Sequence, residues 1–242
     1  HIDTLSYDEI QINRKFYLSG KKELELLKRI RLSASDSYVR VKNGFATLFD
    51  DVFIGELPFM EYTIPVLKAS TGKWSRAFFP YDEKGSPLAY ELLSESESVC
   101  RYLEDHAERL LKGRKRSETP DWFLYGRTQA LKDVCILKYA VNTCIKGVGS
   151  IKLTEVPPGC GLYSGLYILP DKGVTFDMLD RIIRNEEFIR YVSLLKNYKS
   201  GGYYTFNSKD LELYINYKIQ LEYGKGRDNL STGQLGLFES AY

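Results

Sequence analysis

Stretches of helical period and short strand-like runs succeed one another along this chain without a regular strand–helix–strand rhythm. That irregular order narrows the fold more than any other feature. A doubly wound parallel sheet needs alternating β and α segments, whereas a mixed order argues for an α+β architecture. Leu24, Leu27 and Ile30 predict a helix over 19–31, capped by Ser19. Val99, Tyr102, Leu103, Leu110 and Leu111 predict a second over about 95–112. Residues 175–198 form a third amphipathic region, broken near Asn185, and Ser208 is expected to cap a last helix carrying Leu211, Tyr214 and Ile215. Between these, Tyr38 to Lys42, Tyr62 to Leu67, Ala77 to Phe79, Val134 to Val141 and Gly161 to Leu169 read as strands. Lys84-Gly85-Ser86-Pro87 reads as a turn, with Leu88 to Leu92 continuing a hairpin. Beyond Tyr223 the chain turns polar and glycine-rich, as a loose tail does.

The 242 residues suit one large domain or two small ones. A hydrophobic share of 43% and a charged share of 27% are ordinary for a soluble globular chain, and neither a membrane-spanning run nor a signal peptide is visible. The expectation is a cytoplasmic protein. Four cysteines, at 100, 135, 144 and 160, include no CxxC pair, so no zinc site is indicated, and free buried thiols are expected.

The common catalytic constellations are missing. There is no HExxH, GxSxG or GxxxxGK[ST] pattern. His106 stands among Asp105 and Glu108 as a solvated helix-face residue would. Gly159-Cys160-Gly161 with Gly165 lacks a strand before and a helix after, and reads as a bend. Asp82-Glu83-Lys84 is the one triplet of nuclease type, but Gly85-Ser86-Pro87 follow at once and make it a turn. No catalytic or metal-ligating residue is expected in this chain.

Net charge is only +2, so any argument for nucleic acid rests on how the charges are distributed. Arg109, Lys112, Arg114, Lys115 and Arg116 end a helix and enter a loop. They suit either the helix dipole or phosphate contacts. Trp122 to Gln129 places Arg127 and Gln129, side chains that bridge guanine and adenine edges, beside residues fit for a core. Asn197 to Phe206 joins Lys199 and the tyrosines 203 and 204 across a Gly201-Gly202 turn. The residues alone leave structural and nucleic-acid readings of these segments open.

Three segments in order resemble one family: Val41-Lys42-Asn43-Gly44-Phe45-Ala46-Thr47-Leu48 with Val52-Phe53-Ile54; Trp122-x-x-Tyr125-Gly126-Arg127-Thr128-Gln129-x-Leu131; and Lys199-Ser200-Gly201-Gly202-Tyr203-Tyr204-x-Phe206 running into Ser208 to Leu211. Phe79-Pro80-Tyr81-Asp82 also fits. The pattern is similar to the C-terminal target-recognition region of bacterial adenine-specific DNA methyltransferases of the TaqI type, which serve type II restriction–modification systems. It implies a mixed curved sheet with flanking helices that grips duplex DNA and reads a short sequence. It implies DNA contacts from Lys42, Thr47, Arg114, Lys115, Arg116, Arg127, Gln129, Lys199, Tyr203 and Tyr204.

The family's Asn-Pro-Pro-Tyr/Phe motif and its glycine-rich S-adenosylmethionine loop are not found; the one Pro-Pro is Val156-Pro157-Pro158-Gly159. The resemblance therefore implies a methyl-transferring half, with its S-adenosylmethionine, in the same polypeptide but N-terminal to His1. On this reading 1–37 is a linker and helical segment, 38–222 the recognition domain and 223–242 a polar tail. Alternatives are a protein-interaction module, or part of a combined restriction-and-modification enzyme with its nuclease elsewhere.

Overall fold

A computed structural model describes residues 4–12, 14–33, 37–112, 121–171 and 173–224. The short turn of helix α1 (Tyr7–Ile10) precedes a small hairpin, β1 (Gln11–Ile12) and β2 (Lys15–Phe16), and helix α2 (Lys21–Leu32). Then come β3 (Val39–Asn43), α3 (Asp50–Phe53), the hairpin β4 (Thr63–Lys68) and β5 (Lys73–Phe78), α4 (Tyr90–Leu93) and α5 (Glu97–Lys112). The second half holds β6 (Lys138–Val141), β7 (Cys144–Ile145), β8 (Leu153–Val156), β9 (Gly161–Tyr163) and β10 (Leu166–Pro170). It ends with α6 (Phe176–Ile183), α7 (Glu186–Leu194), β11 (Tyr198–Lys199), β12 (Tyr203–Thr205) and α8 (Ser208–Tyr223). The architecture is α+β, with the strands of the described residues distributed over four small sheets, of which β5-β4-β9 pairs both antiparallel and parallel. No helix among the described residues is long and apolar enough to cross a membrane.

The chain divides into two compact units, 1–41 with 144–151 and 170–242, and 42–143 with 152–169. This division differs from a boundary at residue 37. The first unit is built on α2, α6, α7 and α8. Leu24, Leu27 and Ile30 of α2 are buried, as are Leu179, Ile182, Phe188, Tyr191, Leu211, Tyr214 and Ile215. Residues 21–32, expected as part of a linker, thus belong to a core, because their apolar stripe recurs every three to four residues. Arg31 donates to Asp210 at 2.7 Å, and both side chains are buried. Asn216 of α8 accepts from the backbone N–H of Tyr38 (2.8 Å) and Val39 (3.0 Å) and donates to the Val39 carbonyl (3.3 Å). Glu212 accepts from the Val41 N–H at 2.7 Å. Side chains of α8 thereby satisfy backbone groups at the start of β3.

The second unit carries the mixed sheet β5-β4-β9, the strands β10-β6-β8 and the Lys42–Asn43 end of β3 beside β10. Its core is aromatic. Phe45, Phe53, Phe79 and Tyr81 surround Tyr125. The Tyr125 N–H donates to the Tyr81 hydroxyl (2.6 Å), and its own hydroxyl donates to the Phe78 carbonyl (2.5 Å). Gly44 is required by close approach, since a Cβ there would stand 2.5 Å from the Leu162 carbonyl oxygen.

Several local expectations shift by a residue or change type. Gly20, not Ser19, precedes α2, and Asn207, not Ser208, caps α8 by accepting from the Asp210 N–H at 3.0 Å. The break at Asn185 stands, and its side chain accepts from Glu187 N–H at 2.9 Å to start α7. The hairpin continues only as far as Leu88, whose N–H donates to Pro80 O at 3.0 Å; from Tyr90 the chain makes the turn of helix α4. Gly161 to Leu169 is two strands, divided at Ser164, whose φ is 55°. The expected tail, 225–242, lies outside the described residues.

Candidate nucleic-acid interface

The ten residues expected to meet DNA fall into three groups. Arg114, Lys115 and Arg116 lie outside the described residues. Lys42, Thr47, Arg127 and Gln129 belong to the second unit, and Lys199, Tyr203 and Tyr204 to the first.

In the second unit, the segments at 44–48 and 126–129 run side by side. Arg127 N–H donates to Ala46 O at 3.0 Å, and Gly126 N–H to Thr47 O at 3.3 Å. Tyr125 anchors the second segment in the core, and Gly126, Arg127, Thr128 and Gln129 then follow as four exposed residues. Leu48, 60% exposed and with φ at 70°, lies against Gly126. The pair of segments therefore presents the Arg127 and Gln129 side chains to solvent from a rigid base.

Thr47 and Lys42 are not presented in this way. Thr47 is fully buried; its hydroxyl donates to Asp50 Oδ1 (2.5 Å) and accepts from Phe49 N–H (3.1 Å). It fixes the entry to α3. Lys42 is half-buried and donates to Asp133 Oδ2 at 2.7 Å. The same oxygen accepts from the Tyr167 hydroxyl at 2.7 Å. Burial works to raise the Asp133 pKa, but the hydrogen bonds from Lys42 and Tyr167, with the charge of Lys42, hold it below the usual carboxylate range.

Beside this pair sits Lys138, only 2% exposed, and its ammonium donates to the carbonyls of Asp133 (2.8 Å), Val134 (3.2 Å) and Ile136 (3.0 Å). The strand expected from Val134 starts only at Lys138, because residues 133–136 curl their carbonyls around that ammonium. Burial pushes the Lys138 pKa down to about 8 from 10.5. Between those values the unfolded chain binds the extra proton, so this group adds stability as pH rises. The stability difference between wild type and Lys138→Met, measured by urea denaturation, is accordingly expected to move in favour of the wild type from pH 7.5 to pH 9.5. A flat difference would contradict it.

In the first unit the expected residues share a sheet of order β11-β12-β7. Tyr198 pairs with Tyr204, which pairs with Ile145; Lys199 pairs with Tyr203. Gly201 and Gly202, with φ of 77° and 78°, make the turn between β11 and β12, a conformation that glycine adopts without strain. Ile145 is buried and Tyr204 half-buried, so that row faces inward except at the sheet edge, where Tyr198 is 57% exposed. The next row is Lys199, Tyr203 and, one residue on in register, Lys146. The Lys146 ammonium lies 6.0 Å from the Tyr203 ring centre. Two lysines thus flank a tyrosine that is 39% exposed.

No protein-family model and no curated protein matches this chain.

In the two runs of the first unit that carry this row the sequence is one-sided in charge: no acidic residue occurs from Phe188 to Lys209 or from Cys144 to Ile151, whereas these runs hold Arg190, which pairs with Glu23, and Lys196, Lys199, Lys209 and Lys146. Lys146, Lys196 and Lys199 form no ion pair among the described residues. Lys146 and Lys196 were not among the expected contacts. The gap in the acidic residues was the signal available for them. The Asp82 triplet is a turn, with Asp82 Oδ1 accepting from the N–H groups of Lys84 (2.9 Å) and Ser86 (2.7 Å). No group of three or more His, Cys, Asp or Glu side chains suited to a metal occurs among the described residues. None of the four cysteines is in a disulfide; Cys135 and Cys144 are exposed and the other two half-buried, so the expected burial of the thiols does not hold.

Proposed function

We propose that this chain recognises duplex DNA. The observation that carries the reading is the Lys199–Tyr203–Lys146 row, a flat ring beside two lysines that form no ion pair among the described residues. Ammonium groups without carboxylate partners neutralise phosphates and release counterions, which supplies most of the affinity for DNA. A turn fixed by Gly201 and Gly202 holds them in one place. Arg127 and Gln129 are the side chains for base edges: arginine bridges guanine N7 and O6, and glutamine bridges adenine N6 and N7. Lys42 and Thr47 are assigned structural roles instead, since their polar atoms are engaged internally.

The resemblance of three segments to TaqI-type adenine methyltransferases supports the further reading that the DNA contact specifies a short site. On that reading a methyl-transferring half of the parent supplies S-adenosylmethionine and the chemistry, and this chain positions the target adenine by gripping its flanks. No residue of this chain is assigned to the cofactor. The test is selection from a random duplex pool. The expected result is one enriched short motif containing adenine, with the enrichment reduced at one or two positions in Arg127→Ala and Gln129→Ala. A pool that stays random through repeated rounds would contradict sequence recognition.

A further inference from the structure

The β4–β5 hairpin of the second unit ends in a turn around which three lysines gather. Lys68 and Lys73 are directly paired across the hairpin, and Tyr163 of β9 completes the same row next to Lys68. The Lys68 ammonium lies 5.9 Å from the Tyr163 ring centre. The third lysine, Lys152, donates to the carbonyl of Thr71 in the turn at 2.8 Å. Two hydroxyls adjoin the row, Ser70 and Ser164, 3.0 Å apart and both exposed. No acidic residue occurs from Tyr62 to Tyr81, and none of the three lysines forms an ion pair among the described residues.

Like charges directly opposite each other on neighbouring strands are destabilising. Here such a pair is joined by a third cation and has no carboxylate to offset it. A bound anion removes that repulsion. The row also repeats, in different strands, the lysine–tyrosine arrangement of Lys199, Tyr203 and Lys146. We propose that Lys68, Lys73 and Lys152, with the hydroxyls of Ser70 and Ser164, form a second site for the phosphodiester backbone of duplex DNA. This rests on the DNA reading given above and extends it to a surface that the family-like segments do not include. An anionic membrane would be met by a cluster of apolar side chains. Trp74 is the one exposed large apolar residue of the hairpin, which favours a polyanion in solution.

The test compares the full chain with Lys68→Gln/Lys73→Gln/Lys152→Gln. The variant is expected to fold, with a thermal midpoint at low ionic strength equal to or above that of the wild type. It is expected to bind random duplex DNA at least tenfold more weakly at low salt, with a salt slope shallower by about two. Wild-type binding that the substitutions leave unchanged in affinity and slope would overturn the second site while leaving the DNA reading in place. Absence of any wild-type binding would overturn both. If the midpoint collapses, Lys73→Gln alone, at an exposed position, decides between the first two outcomes by its slope. Association of the wild type with phosphatidylglycerol vesicles but not with DNA would assign the site to lipid and overturn the proposal.

Discussion

Asp133→Ala is expected to destabilise the protein by about 2–4 kcal/mol, below the roughly 3–5 kcal/mol for removing one member of a fully buried ion pair because the Lys42 side chain is 29% exposed. Asp133 is 4% exposed, and its carboxylate accepts from both Lys42 and Tyr167 at 2.7 Å. Without it, the Lys42 ammonium is left half-buried and the Tyr167 hydroxyl buried, each without its acceptor. Asp133→Asn keeps an acceptor and loses the charge, and is expected to lose less. The contribution has a defined pH window. The folded-state pKa of Asp133 is lowered, so its stabilisation is present above the unfolded value near 3.8 and is lost as pH falls through the folded value. Urea denaturation at pH 7 measures the loss; a change under 1 kcal/mol would show that the pair is not coupled to the fold.

Lys146→Gln/Lys196→Gln/Lys199→Gln is expected to weaken binding to duplex DNA by about two orders of magnitude at low salt. The slope of log K against log salt becomes shallower by about two to three, close to 0.9 per phosphate contact removed. Stability stays within about 0.5 kcal/mol of wild type, because substitutions away from packed features have small effects. A charge-matched control, Lys21→Gln/Lys22→Gln/Lys28→Gln on α2, changes net charge equally away from the proposed row. Equal weakening by both triples would mean that only overall charge matters, and would remove the β11–β12 surface from the account.

The parts of this molecule that could be read from the chain are those whose cause is local. Apolar spacing located α2 and α5, and a single asparagine marked where α6 gives way to α7. Arg127 and Gln129 stood out as polar residues following an aromatic run, and both are exposed. Other features depend on which partner a side chain meets once the chain is folded, whether near or far in sequence. Lys42 resembles a DNA contact until Asp133, 91 residues away, takes its ammonium. Val134 to Leu137 is apolar enough for a strand, but the buried Lys138 draws the preceding carbonyls into a loop. Residues 1–41 join 170–242 in one unit through side chains such as Asn216, which reaches backbone 177 residues earlier in the chain. No local pattern announces such a partner.

The most direct test of DNA recognition is the binding of the purified chain to random-sequence duplex DNA across a salt series, followed by fluorescence anisotropy. The account predicts measurable affinity at low salt that falls linearly and steeply as log K against log salt. No binding at low salt, or binding that salt leaves unchanged, would contradict it.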